Sequence, residues 1–128
     1  MRSNRILAVC LILLLAFSLL SCQNPMGDRE YMEDLYIKIP DSQDKLLIRE
    51  WRYLLGSGAE VYLVSQTEKS PVLLGLLSGG DDGYCPFQNG KYNVTFAGDT
   101  VTFSWSFDGS DTYSQTERFA LPKNSDDR

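Results

Sequence analysis

The chain has 128 residues, with 12 basic and 17 acidic side chains and a formal net charge of −5. This length is enough for one domain. The acidic balance argues against a nucleic-acid partner and against a basic patch for membrane surfaces. The sequence contains no histidine, which removes the commonest general base and the commonest metal ligand. We therefore predict no metal, no cofactor and no enzymatic activity.

The first 21 residues have the pattern of an export signal. Arg2 and Arg5 precede an uncharged, mostly apolar run at residues 6–20. A helix that spans a bilayer needs about 20 apolar residues, so a run of 15 is short for a span. It suits the central region of a signal peptide.

This run ends in Leu19-Leu20-Ser21-Cys22. With the basic start, the ending resembles the lipobox of a bacterial lipoprotein signal peptide. The resemblance implies that the Cys22 thiol takes a diacylglyceryl group and that the chain is cut before it. In many bacteria the new amino group then receives a fatty acid such as palmitate. An ordinary secretory signal and an uncleaved N-terminal anchor are the alternatives.

The same resemblance predicts the location. A lipid on Cys22 would hold the protein in the cell envelope, at the outer face of the cytoplasmic membrane or at the outer membrane. In a host with two membranes, Gln23 in place of an aspartate would resemble an outer-membrane address. The membrane is therefore one expected partner.

Removal of residues 1–21 from 128 leaves 107 residues, with 10 basic and 17 acidic side chains and a formal charge of −7. We divide the remainder by composition. Residues 22–30 form the lipidated cysteine and a tether, residues 31–122 a β-rich domain, and residues 123–128 a polar tail.

Two segments near the C-terminus alternate between apolar and polar residues. In "TVTFSWSF" (100–107) every second residue is valine, phenylalanine or tryptophan, and "KYNVTF" (91–96) has the same period. A period of two predicts strands with one buried face. The "AGD" at 97–99 predicts a hairpin turn between them.

Further strands are predicted at residues 35–40, 59–65, 71–77 and 118–122. We expect a mainly β fold, namely a small antiparallel β-sandwich or a partly open barrel of six or seven strands.

Residues 45–55, "KLLIREWRYLL", fit two structures. As a helix, the segment has an apolar stripe, Asp44 as N-cap and Gly56 as the C-terminal glycine. As a strand, it places Leu47 and Trp51 on one face. We favour the strand because hairpins flank the segment and "GSG" at 56–58 predicts a turn, and the helix is the alternative.

Segments 48–64, 73–75, 79–87 and 90–105 are together similar to a family of small bacterial lipoproteins and secreted proteins of unknown function. The resemblance implies a compact β-domain after the signal, with a hairpin around "GSG". It implies no activity.

The stretch "SGGDDGYCPF" at 78–87 holds the candidate binding loop, in which we single out Asp81, Asp82 and Tyr84. Adjacent aspartates could suggest Ca²⁺. Calcium loops, however, use a spaced set of oxygen ligands that ends in a glutamate, and that set is missing here. Aspartate beside glycine is an ordinary turn signal, so we predict a shaped loop without a metal.

Cys85 lies in the same stretch. If Cys10 leaves with the signal and Cys22 carries lipid, Cys85 has no partner within the mature chain. We predict a buried thiol. An intermolecular disulfide and a reactive thiol are the alternatives, although no histidine is present to activate it.

Arg49, Glu50 and Arg52 lie in the most apolar part of the domain. We interpret them as solvated charges or a local ion pair, with a partner-binding patch as the alternative. Six aromatic residues are interpreted as core rather than as a ligand platform: Trp51, Tyr53, Tyr62, Tyr92, Phe103 and Trp105.

These patterns favour a non-enzymatic envelope lipoprotein that binds another envelope protein or a small ligand. The alternatives are a small hydrolase, an inhibitor of an envelope enzyme, and a structural lipoprotein without a ligand. A binding module should expose an apolar or aromatic patch, whereas an enzyme should have a deep cleft with convergent polar groups.

Overall fold

The computed structural model describes residues 6–12 and 27–123. Residues 6–12, in the apolar run of the predicted signal, form a short helix. Within these described ranges, no helix has both the length and the hydropathy needed to cross a bilayer. The lipobox with Cys22 and residues 124–128 lie outside the described residues.

Eight strands form the domain. They are β1 (Glu30–Tyr31), β2 (Leu35–Lys38), β3 (Lys45–Tyr53), β4 (Gly56–Val64), β5 (Val72–Asp81), β6 (Tyr92–Ala97), β7 (Thr100–Trp105) and β8 (Gln115–Ala120). They make two antiparallel sheets of five and three strands that are not closed into a barrel. The predicted mainly β fold is confirmed, as a small sandwich-like structure. Eight strands are one more than the predicted six or seven. The additional strand is the two-residue β1, which starts at Glu30, the last residue of the predicted tether.

In the larger sheet, the order β1-β3-β4-β5 runs through the two nine-residue strands β3 and β4. Strands β1 and β2 both pair with β3, β2 along its first half and β1 near its end. The smaller sheet has the order β6-β7-β8. The predicted hairpin between β6 and β7 is present, with Ala97 paired to Thr100.

The inner faces of the two sheets form the core. Along β7, Val101, Phe103 and Trp105 are buried, as their alternation predicts. On the larger sheet they face a buried set that comprises Leu46, Ile48, Ala59, Val61, Leu63 and Leu77. A side chain at Gly75 of β5 would collide with the ring of Phe119 on β8, so this glycine allows the two sheets to approach closely.

Residues 45–53 are a strand, so the strand interpretation of this segment is confirmed. The position of the turn after it was predicted wrongly. Gly56 and Gly58 belong to β4, and the turn is Leu54-Leu55. The reason lies in the neighbouring rings, because a side chain at Gly58 would collide with Trp51. These glycines make room for rings instead of turning the chain.

The stretch 78–87 is less of a loop than its glycines suggest. Its first four residues complete β5, which ends at Asp81 instead of at the predicted residue 77. Asp82 and Gly83 then have φ of 52° and 74°, and the Tyr84 amide donates to the Asp81 carbonyl at 3.0 Å. Positive φ at both central positions is the geometry of a type I′ turn, which favours Asp-Gly.

Candidate functional site

The outer face of the five-stranded sheet carries a row of apolar and aromatic side chains. Tyr36, Leu47, Tyr62 and Leu73 are paired neighbours across β2, β3, β4 and β5. Directly opposed residues of antiparallel strands project from the same face. Tyr36 and Leu73 are exposed, since 56% and 52% of their surfaces are accessible to solvent. We call this side of the sheet, which also includes Leu76, the outer face.

Two further aromatic residues continue the outer face toward the β3–β4 turn. Trp51 and Tyr53 stack with ring centroids 5.5 Å apart and planes 19° from parallel. The guanidinium of Arg29 lies 4.0 Å from the centroid of the Trp51 ring. The quadrupole of the aromatic ring attracts a cation in this position. It also holds the entering chain against β3.

The predicted assignment of all six aromatic residues to the core is therefore only partly right. Phe103 and Trp105 are buried between the sheets. Trp51, Tyr53 and Tyr62 are half-buried on the outer face. The physical reason is that β3 and β4 lie inside the sheet and have apolar side chains on both faces, so composition did not say which face is covered.

Charged groups on the outer face are paired with one another. Arg49 donates from Nε and Nη2 to the two carboxylate oxygens of Asp34, at 3.1 and 3.2 Å. The hydroxyl of Tyr62 donates to Glu60 at 2.9 Å. The Asp34 bonds raise the pKa of Arg49, and the Glu60 bond raises the pKa of Tyr62. This bidentate arginine contact fixes Arg49 beside the aromatic row.

A shallow depression of about 140 Å³ lies within the outer face, lined by Leu47, Arg49, Tyr62 and Pro71. Pockets for small ligands usually have about 300–1,000 Å³. The depression can take a single side chain of a partner, which is the way binding hot spots are built. It is too small to enclose a ligand.

The predicted binding loop lies at one end of the larger sheet. Asp81 and Asp82 are exposed, whereas Tyr84 is half-buried with its ring against Gly109. The Ser57 hydroxyl donates to the Tyr84 carbonyl at 2.5 Å and accepts from the Gly80 amide at 2.7 Å. These bonds fix the shape of the loop.

The described residues contain no group of three or more acidic, cysteine or histidine side chains placed to hold a metal ion. A second depression, of about 370 Å³, lies beside the loop. It is lined by Gly27, Asp28, Glu30, Arg52, Tyr53, Leu54, Asp82 and Gly83. At this end of the sheet, the start of the domain at residues 27–30 lies beside the β3–β4 turn and the Asp82-Gly83 turn.

Glu50 is the buried charged residue that the sequence analysis assigned wrongly. It was interpreted as a solvated or ion-paired charge, but it is 1% exposed. Its carboxylate accepts from the amides of Phe87, at 3.1 Å, and Gln88, at 2.8 Å. Burial raises the pKa of Glu50 to about 7, against a lowering by the two amide bonds. The alternation of β3 carried the signal, because Glu50 continues the inward series of Leu46 and Ile48.

The Glu50 carboxylate holds the start of a short turn. Pro86 has no amide hydrogen, and the next two amides of the turn point at the carboxylate. The turn closes with the Asn89 amide donating to the Cys85 carbonyl at 3.2 Å and the Lys91 amide to the Pro86 carbonyl at 2.9 Å. Glu50 therefore satisfies the free amides at the start of a helical turn, as a capping residue does. It links β3 to the segment that leads into β6.

Cys85 is a buried free thiol, 5% exposed. Its Sγ donates to the Gly83 carbonyl at 3.7 Å. Burial and, second, the nearby Glu50 carboxylate raise the pKa of Cys85 to about 11. The thiolate is the nucleophile in cysteine chemistry, so this position does not suit an activated cysteine.

We expect Cys85 to react with iodoacetamide far more slowly in the native protein than in urea at pH 8. Peptide mapping by mass spectrometry reads this cysteine separately from Cys10 and Cys22. Equal alkylation rates in the two conditions would contradict the burial, and a Cys85–Cys85 linked peptide would instead support the intermolecular disulfide.

Comparisons with protein-family models, with curated proteins and with solved structures find no match to this chain. The two resemblances described above, to lipoprotein signals and to small bacterial lipoproteins, therefore stay predictions.

Proposed function

We propose that this protein is a bacterial envelope lipoprotein, anchored through a lipid on Cys22, whose domain binds another envelope protein. Binding occurs at the outer face of the five-stranded sheet. The domain acts as a non-enzymatic interaction module.

The exposed apolar row on the outer face is the observation that supports the binding role. Tyr36, Leu73 and Leu76 present large side chains to water on the same face of the sheet, on either side of the buried Leu47 and the half-buried Tyr62. Exposed apolar patches on soluble domains usually mark interaction sites. The row is bordered by the Arg49–Asp34 ion pair and by the Glu60 carboxylate, which accepts from the Tyr62 hydroxyl. This pattern of an apolar centre with a polar rim is typical of protein interfaces.

The shape of this face favours a protein over a small molecule. Its depression of about 140 Å³ fits one anchoring side chain, while the row extends across four strands, with its exposed members on the two outer ones, Tyr36 on β2 and Leu73 and Leu76 on β5. Buried aromatic or leucine anchors from a partner would suit such a surface. Of the titratable groups considered above, Glu50 holds a turn and Cys85 is protected by burial, and neither faces the outer surface.

The anchor is tested by Cys22→Ala. We expect the wild-type chain, expressed in a bacterium, to incorporate a clickable fatty-acid probe and to sediment with membranes. The variant should lose the label and appear in the non-membrane fraction, because Cys22 supplies the thiol. Cys85→Ala is the matched control and should keep both properties. Label that persists in Cys22→Ala would contradict the lipoprotein assignment.

The binding face is tested by photo-crosslinking in cells. We expect p-benzoylphenylalanine at position 76 to give a discrete adduct with one envelope protein. The same amino acid at position 95, exposed on the smaller sheet, should not give that adduct. Tyr36→Asp should reduce the adduct at position 76, since it places a charge in the apolar row. Equal adducts at positions 76 and 95, or none at either, would contradict the proposal.

A further inference from the structure

The turn between β3 and β4 is apolar and largely exposed to solvent. Leu54 and Leu55 are 76% and 63% exposed, and Leu54 is the most exposed large hydrophobic residue in the described ranges. Turns of this kind are usually built from glycine, asparagine, aspartate and proline. Neither leucine has positive φ. Two adjacent leucines at a hairpin tip therefore contribute nothing to the core and leave a local apolar surface.

The chain enters the domain beside this tip. Strand β1 runs antiparallel to β3, with Glu30 paired to Arg52 and Tyr31 to Trp51. Residues before Glu30 therefore continue in the direction of the β3–β4 turn. Gly27 and Leu54 line the same depression, which places the start of the domain next to the leucines.

Two contacts hold the entering chain in this position. The Nε of Arg52 donates to the Glu30 carboxylate at 2.8 Å, and the guanidinium of Arg29 covers the Trp51 ring. Both contacts join residues just after Gly27 to the end of β3. The direction in which the chain leaves the domain toward Cys22 is therefore tied to the end of the sheet that carries Leu54.

The length of the tether limits the distance to a membrane. Cys22 precedes Gly27 by five residues, and five extended residues span at most about 17 Å. A lipid on Cys22 would keep this end of the domain within that distance of the bilayer. The opposite end, with Glu68 in the loop after β4, lies about 30 Å away along nine-residue strands.

We propose that the Leu54-Leu55 tip inserts into the interfacial region of the bilayer and orients the domain on the membrane. This inference rests on the lipid anchor of the proposed function. Two leucines are too few to bind a membrane alone, but the tether makes their insertion intramolecular and supplies a high effective concentration. With this end on the membrane, the outer face stands roughly perpendicular to the bilayer and is open to a partner from the side.

Electrostatic attraction contributes little to this contact. Arg52 is paired with Glu30, and the carboxylates of Asp28 and Asp82 border the same depression. Anionic headgroups therefore meet no unpaired basic cluster here. Insertion should accordingly not weaken as the salt concentration rises, unlike binding through a polybasic segment.

The test uses full-length lipidated protein purified from a bacterium and reconstituted into vesicles of phosphatidylethanolamine and phosphatidylglycerol. Leu54→Cys supplies one reactive thiol for a nitrobenzoxadiazole dye, because Cys10 lies in the removed segment, Cys22 is blocked by lipid and Cys85 is buried. Glu68→Cys is the matched control at the far end. We expect the dye at position 54 to shift its emission to the blue, and lipids with doxyl groups on their acyl chains to quench it.

The dye at position 68 should show neither effect, and raising the salt concentration should not reduce the signal at position 54. Adding Leu55→Ser to Leu54→Cys should reduce the quenching, since it removes the remaining leucine of the tip.

Three outcomes would overturn the inference. If protein floats with the vesicles while the dye at position 54 behaves as at position 68, the anchor holds and the insertion fails. A blue shift without quenching by doxyl lipids would mean that the tip is buried against protein, such as a second copy. Protein that carries no lipid and does not float would contradict the proposed function, and the inference with it.

Discussion

Replacing Glu50 with alanine should lower the free energy of unfolding at about pH 4.5 by about 2–5 kcal/mol, from the unpaired amide and the cavity together. The substitution removes the acceptor of the Phe87 and Gln88 amides. It leaves the Phe87 amide unpaired in a buried position, and an unpaired buried donor costs about 1–3 kcal/mol. Urea unfolding followed by tryptophan fluorescence measures the loss.

Glu68→Ala is the matched control, since Glu68 is exposed in the loop after β4. Surface substitutions of this kind usually change stability by less than about 0.5 kcal/mol. If Glu50→Ala and Glu68→Ala have the same midpoint in urea, the amide bonds to Glu50 do not stabilise the fold.

Glu50→Gln separates hydrogen bonding from charge. Glutamine keeps the size of the side chain but has one acceptor oxygen, so its amide nitrogen must face one of the two backbone donors. We expect a loss between those of the wild type and of Glu50→Ala. If Glu50→Gln loses more stability than Glu50→Ala, the repulsion between the glutamine amide and a backbone amide costs more than the cavity left by alanine.

The raised pKa of Glu50 also predicts how stability depends on pH. Burial lifts this pKa from 4.5 to about 7, so the folded state binds the proton more tightly than the unfolded state. The stability from this group is therefore complete below about pH 4.5 and is lost as pH rises to about 7. At 1.36 kcal/mol per pH unit, the loss is about 3 kcal/mol.

Urea unfolding of the wild type and of Glu50→Gln between pH 4.5 and 8 measures this dependence. The difference in stability between the two proteins should change across the interval and become constant above pH 7. A difference that is constant from pH 4.5 upward would show that Glu50 titrates near its ordinary value.

Replacing Phe103 with alanine should cost about 3–5 kcal/mol, the usual range for a buried phenylalanine. Phe103 is fully buried at the centre of β7. Its ring lies 6.4 Å from the Phe87 ring and 6.0 Å from the Phe119 ring, both edge to face. Removing it opens a cavity between the sheets and ends both aromatic contacts.

Thr102→Ala, one position earlier on the opposite face of β7, is the control and should cost less than about 1 kcal/mol. Equal midpoints for Thr102→Ala and Phe103→Ala in chemical unfolding would contradict a core between the two sheets. Phe103→Leu should recover part of the loss, because leucine refills part of the cavity.

Local patterns predicted the strands well. Alternation in residues 91–96 and 100–107 anticipated both strands of the β6–β7 hairpin and the burial of Phe103, since period-two alternation directly encodes one buried face. The turn of this hairpin was also anticipated from "AGD" at 97–99, where Gly98 has φ of 59°, a conformation that favours glycine. Sequence thus reported features that depend on neighbours a few residues apart.

Features that depend on how strands pair or on distant residues were harder to predict. The turn at Leu54-Leu55 was expected at the following glycines, because the rings that fill the space above Gly56 and Gly58 come from the opposite strand. Glu50 was expected in solvent, because its partners are more than 35 residues away, at Phe87 and Gln88. The local sequence does not distinguish a glycine in a turn from a glycine in a strand, or a buried carboxylate from an exposed one.

The outer face was partly foreseen. Its aromatic residues Trp51, Tyr53 and Tyr62 were assigned to the core, whereas a partner-binding patch was the alternative interpretation of the charges around Arg49. Which side of β3 would be covered by the smaller sheet could not be read from a strand that is apolar on both faces. That choice depends on how the β6–β8 sheet docks, which is a tertiary effect.

The last strand of the smaller sheet has one further consequence. Glu117 on β8 is paired with Phe103 and so lies on the core-facing side of the strand, yet it is exposed because β8 is the sheet edge. A strand added to this edge would enclose that carboxylate in an apolar layer. Inward-pointing charges of this kind oppose edge-to-edge aggregation. Copies of the domain at high concentration can therefore remain separate along this edge.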